Sequence, residues 1–144
     1  MQWDNTITID GPAAVIWGLH IDVERWPSMT PTMQKVQRLE PGPLRLGSTA
    51  RVKQPTQTAA VWTVTHFADG HEFAWQTRRL GMTMEGRHVV DPLDAQRCRS
   101  TLSVRVTGFG SRLFGTLIGP AVTRALRLEN EGFRTAGAGA QSAA

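Results

Sequence analysis

The 144-residue chain has one cysteine and no tyrosine. Cys98 therefore has no partner for an internal disulfide, and a reducing, cytoplasmic setting is expected. Without tyrosine, no phenolic donor or acid can serve a site. Apolar runs reach only a few residues, far short of the roughly 20 that span a bilayer, so integral membrane association is not expected. The start Met1-Gln2-Trp3-Asp4 offers neither a basic n-region nor an apolar h-region, so no signal peptide is expected. Lysine is scarce, and the net charge of +4 comes from arginine. Arg78, Arg79, Arg97, Arg99, Arg105, Arg112, Arg124, Arg127 and Arg134 are scattered over several elements, as on a solvated outer face. No helix-turn-helix, zinc-finger or RNA-binding signature accompanies them, so nucleic acid is not an expected partner.

Chemical motifs are missing as well. There is no Gly-x-Ser-x-Gly elbow and no Cys/His pair in a nucleophile setting. The histidines lack the paired carboxylate or thiol that would argue for zinc, so no metal and no cofactor are expected. Gly108-Phe109-Gly110 lacks the lysine and spacing of a phosphate cradle. Asp91 and Asp94 fall in a hairpin turn, and Glu129 and Glu131 fall near a helix end, where solvation is expected.

What remains is an ordered set of apolar patterns. Thr6-Ile7-Thr8-Ile9 alternates as a half-buried strand. Pro12 suits a first helical turn, and Val15, Ile16, Leu19 and Val23 carry helical spacing up to Trp26-Pro27. Strands are then predicted near 33–40, 49–54, 59–68, 71–80, 82–91 and 97–107, after a first strand near 3–9. Asp69-Gly70 is the clearest hairpin turn. Ser111 can cap a helix to about Thr135 with Leu113, Leu117, Ala121, Ala125, Leu128 and Gly132 along one face; Gly119-Pro120 predicts a kink or break in it. A single domain over 1–136 and a disordered tail over 137–144 are expected.

This pattern resembles the START-like superfamily, which includes Bet v 1 proteins and polyketide cyclase/dehydrase-type domains. The resemblance rests on Ile7-Thr8-Ile9-Asp10-Gly11-Pro12-Ala13, Val15-Ile16-Trp17, Asp22-Val23-Glu24-Arg25-Trp26-Pro27, Gly47, Trp62-Thr63-Val64, Phe73-Ala74-Trp75 and Gly108-Phe109-Gly110. It covers about residues 3–134. It implies an α+β helix-grip: a seven-stranded antiparallel sheet wrapped around a long C-terminal helix, with a short helical segment between strands 1 and 2 and an apolar cavity inside. It implies no single activity, because the fold hosts carriers, receptors and enzymes.

Strand alternation assigns the inner face. Cys98, Leu102, Val104 and Val106 share a side opposite Arg99, Ser103 and Arg105; Met84, His88 and Val90 lie opposite Thr83, Glu85 and Arg87; Phe73, Trp75 and Thr77 lie opposite Glu72, Gln76 and Arg78. Following the family pattern, Trp62, Val64 and His66 point inward, with Val52 and Gln54 beside them. The ligand-binding set is then Trp62, Val64, Phe73, Trp75, Met84, Leu102, Val104, Leu117 and Ala121, residues that would equally fill a plain core. His66 and His88 are either hydrogen-bonded core residues or a general base and an orienting donor. In aromatase/cyclase relatives an arginine stands where His66 does, a departure from that pattern. Two functions follow: binding of a small hydrophobic ligand such as a lipid, polyketide or aromatic metabolite, by a monomer or homodimer; or cyclase/dehydratase chemistry through His66 and His88. A third reading, an interaction domain, would use the arginine-rich outer face.

Overall fold

The structure, a computed structural model, describes residues 1–143, with side chains to residue 140. The strands are β1 (Gln2–Ile9), β2 (Lys35–Arg38), β3 (Thr49–Lys53), β4 (Ala60–Ala68), β5 (Glu72–Arg79), β6 (Met82–Asp94) and β7 (Arg97–Gly108). They form one antiparallel sheet in the order β1-β7-β6-β5-β4-β3-β2. The first strand thus joins the last, with Gln2 opposite Arg105 and Ile9 opposite Cys98. Between β1 and β2 stand α1 (Ala13–Ile21), a 3₁₀ turn (Val23–Arg25) and the one-turn α2 (Trp26–Met29). The long α3 (Ser111–Ala143) closes the chain and lies against the sheet, giving the expected helix-grip.

Local chemistry sets the turns. β5 and β6 meet through Leu80 and Gly81, both with positive φ (54° and 78°), the hand of a two-residue hairpin turn. Leucine rarely adopts that backbone, and its side chain is left 86% exposed. The turn also touches the end of β7, where a Cβ on Gly108 would lie 2.4 Å from the Gly81 carbonyl oxygen.

Four expectations are corrected. The helix predicted over 12–26 is interrupted at Asp22, whose ψ of 64° is not helical. α3 runs unbroken through Gly119-Pro120, and it also continues past Thr135 to Ala143. The expected disordered tail is therefore helical from Gly137 to Ala143, rich in alanine and anchored where buried Gly137 meets Ile16; Ala144 lies outside the described residues. The helix stripe is also rotated. Leu113 and Leu117 are 71% and 73% exposed, while Gly115, Gly119, Leu126, Asn130, Phe133 and Gly137 are buried. Trp3 packs where a side chain at Gly115 or Gly119 would stand, so small residues form the contact face that hydropathy assigns to leucine.

Candidate functional site

A cavity of about 610 Å³ lies between the concave sheet and α3. Trp62, Trp75, Met84, His88, Leu102, Val104, Leu117 and Ala121 line it, together with Val52, Gln54, Thr77 and Val106. Gly86 opens room for its floor: a Cβ there would come 3.2 Å from the Trp75 Nε1, so glycine lets that indole lie close across the neighbouring strand. Trp62 and Trp75 meet with ring centroids 5.6 Å apart, making an aromatic wall. The rim includes the exposed Leu80 and Leu117, and Trp26, His88 and Glu129 lie among the less exposed lining residues.

Val64 and Phe73 share the inner face but sit in solid core rather than on the cavity; Phe73 is fully buried, edge-on to Trp17 and Trp75. His66 is on the opposite face. A bulge between Val64 and His66 inserts Thr65, so that Val64 opposes Trp75 while His66 opposes Ala74 and Phe67 takes the inner position opposite Phe73. One extra residue reverses the alternation. The His66 side chain is half-exposed and its Nε2 lies 3.0 Å from Glu72, which also pairs with Arg87 on the convex face. His66 therefore cannot meet a molecule in the cavity.

His88 is held from three directions. Its ring lies parallel to Phe73 (4.7 Å) and nearly parallel to Trp26 (4.9 Å). Its Nδ1 is 2.9 Å from the Nδ1 of His20, a wholly buried residue of α1 stacked on Phe133. The His20 Nε2 is 3.1 Å from the Ser100 hydroxyl, and that hydroxyl donates to the Asn130 Oδ1 at 2.7 Å. Burial pushes the His20 pKa well down, with His88 nearby adding to it, and burial holds His88 down to about 3. Both rings are neutral at physiological pH.

Glu129, expected in solvent, instead lines the cavity. Burial pushes its carboxyl up to about 7, against a hydrogen bond that the Thr32 hydroxyl donates to Oε1 at 3.0 Å. A carboxyl that titrates near neutrality can both give and take a proton, and a neutral imidazole can accept one. The buried Trp26 Nε1 has no hydrogen-bond partner among the described residues and belongs to the same lining. His20 and Glu129 both carried a readable signal. His20 stands four residues after Ile16 and three before Val23, on the buried side of α1, and Glu129 stands three after Leu126 and four before Phe133. Among the described residues no group of His, Cys, Asp or Glu could hold a metal ion, and no helix is long and apolar enough to cross a membrane.

The family model described as polyketide cyclase / dehydrase and lipid transport matches residues 2–137. Among solved structures, the Zhui aromatase/cyclase from Streptomyces sp. R1128 superposes with a TM-score of 0.68 at 18% identity, over 93% of this chain and 94% of that one. A START superfamily protein from Mycobacterium smegmatis gives 0.71 at 17% identity, covering 91% and 94%. A Thalictrum flavum norcoclaurine synthase point mutant, in complex with a transition state analogue, gives 0.76 at 13% identity, covering 98% and 96%. At these identities the likeness is one of fold. No curated protein matches the chain by sequence.

Proposed function

Because the chain belongs to the polyketide cyclase / dehydrase and lipid transport family, we propose that it binds a small, largely apolar molecule in the internal cavity, as a carrier or sensor. The observation that carries this reading is the cavity itself: about 610 Å³, walled by Trp62, Trp75, Met84, Leu102 and Val104, with Leu80 and Leu117 at a rim that also carries Thr56, Gln57, Thr58 and Arg79. That volume lies within the usual range of small-molecule pockets, and indole walls favour flat aromatic or polyketide-like guests. Native mass spectrometry of the purified protein, with tryptophan quenching by an added apolar probe such as 2-methoxynaphthalene, tests it. Retained cargo or saturable quenching is expected; an empty protein that the probe cannot quench would overturn the reading.

A second reading is favoured by Glu129. A cyclase or dehydratase acting on a poly-β-carbonyl chain needs a base to remove a proton beside a carbonyl and an acid to return one to departing oxygen. His88 on the sheet and Glu129 on α3 supply titratable groups from the two sides of the cavity, and His66 takes no part. Turnover of a poly-β-carbonyl mimic that falls about 10²–10⁴-fold in Glu129→Gln, with binding retained, would support catalysis. Wild-type turnover no faster than the uncatalysed reaction would leave binding as the function.

A further inference from the structure

The buried hydrogen-bond chain behind His88 has a direction, and that direction can be followed atom by atom. Asn130 Nδ2 lies 3.0 Å from the Asn5 carbonyl and 3.3 Å from the Ser100 carbonyl. A carbonyl oxygen only accepts, so the amide nitrogen must face these two groups and Oδ1 must face Ser100. The Ser100 proton therefore goes to Asn130 Oδ1, at 2.7 Å. With its one proton spent, the Ser100 hydroxyl can only accept from His20, so the His20 proton sits on Nε2. His20 is neutral, which leaves its Nδ1 as a lone pair that accepts from His88 Nδ1–H. The single proton of neutral His88 is thus committed to the core.

We propose that Asn130, Ser100 and His20 are positioning residues that hold His88 as the Nδ1–H tautomer, so that its bare Nε2 selects cavity ligands carrying a hydroxyl or other hydrogen-bond donor. This deepens the binding reading above and rests on it. Nε2 has no hydrogen-bond partner among the described residues and is not among the sealed, unpaired polar atoms, so on this cavity-lining residue it is open to the cavity. Both ring faces are covered by Trp26 and Phe73 and Nδ1 is taken by His20, so the Nε2 edge is the part of the ring left to meet a guest. A phenol, enol or alcohol can donate to that lone pair. A ketone or ether oxygen placed there would set lone pair against lone pair. The chemical class is therefore an apolar molecule with at least one hydroxyl at its buried end.

Two measurements test this with the full-length protein. Long-range ¹H–¹⁵N spectra at pH 7.5, without ligand, read which nitrogen of each ring is protonated. Nδ1–H on His88 and Nε2–H on His20 are expected; Nε2–H on His88 would overturn the proposal. The second measurement titrates 2-naphthol against 2-methoxynaphthalene, matched probes that differ in one donor, by calorimetry. The naphthol should bind about 2–10-fold tighter, the worth of one net hydrogen bond. Ser100→Ala frees the His20 proton to move, and should bring the ratio within about twofold while leaving the methyl ether's affinity in place; Ser100→Thr, which keeps the hydroxyl, should restore it. Equal binding of the two probes by the wild type, or an unchanged ratio in Ser100→Ala, would overturn the proposal. If neither probe binds, the cavity reading and the ligand class fall together, while the spectra still decide the tautomer.

Discussion

Replacing Glu129 with glutamine isolates the cost of keeping a carboxyl on an apolar wall. In the folded protein the carboxyl titrates near 7, and in the unfolded chain near 4.5. Between those values the folded state retains a proton that the unfolded state has released, so stability falls as pH rises. Below 4.5 both states are protonated and nothing is lost; above 7 both are charged and the loss is complete. The interval is about 2.5 pH units, and at about 1.4 kcal/mol per unit the total is about 3 kcal/mol. Glutamine keeps an oxygen for the Thr32 hydroxyl but carries no charge. The quantity to measure is the stability of Glu129→Gln minus that of wild type, by urea unfolding at pH 4.5, 6 and 8. Taking the difference cancels the opposing contributions of His20 and His88. It should rise by about 3 kcal/mol in favour of the variant from the lowest to the highest pH. A difference that stays flat would mean that Glu129 ionises as freely in the folded protein as in the unfolded chain, and the argument from burial would fail.

Other outcomes follow from the same geometry. His88 and His20 have folded pKa values below 6.5, so stability should be lost as pH falls from 6.5 toward 3; His88→Phe should remove about 5 kcal/mol of that loss, read from acid unfolding curves. Ala121→Trp, at a solvent-exposed cavity-lining position, should fill space and displace 2-methoxynaphthalene while changing thermal stability little. Leu126→Ala removes a buried side chain of α3 and should cost about 2–5 kcal/mol in chemical denaturation. Gly132→Ala would put a Cβ 2.4 Å from the Met29 carbonyl oxygen and should lower the melting temperature, although alanine is the better helix former.

The strands were the most legible part of the chain because a period of two is hard to counterfeit when one face must be dry. On β5, β6 and β7 the alternation placed Trp75, Met84, His88 and Val104 on the cavity side without help from structure. On β4, where the family pattern set Trp62, Val64 and His66 inward, the alternation failed at one residue. Nothing about Thr65 marks it as extra: no glycine or proline interrupts the run, and the bulge is set by pairing with β5. His66 was misplaced for that reason alone. On α3 the failure had a different cause. Leucine outranks glycine in hydropathy, yet the face that presses on Trp3, Met29 and Ile16 is the one with glycines, because those neighbours occupy the room a side chain would need. With the stripe turned toward Leu113 and Leu117, Glu129 read as a surface residue. His20 lay on the correct face of α1, but its meaning depends on Ser100, 80 residues away, and only the fold brings them together.

The placement of α3 along the cavity also makes it a ruler. Leu117 stands at the solvent-exposed rim and Glu129 lies 12 residues deeper on the same helix. At about 1.5 Å per residue, the two are separated by about 18 Å. A guest whose polar group is seated among His88 and Glu129 must therefore enter head first, and its far end reaches Leu80 and Leu117 only if the molecule is itself about 18 Å long, more than a four-ring fused skeleton provides. Shorter guests would sit wholly inside, shielded from solvent. Longer ones would leave a tail outside, in solvent.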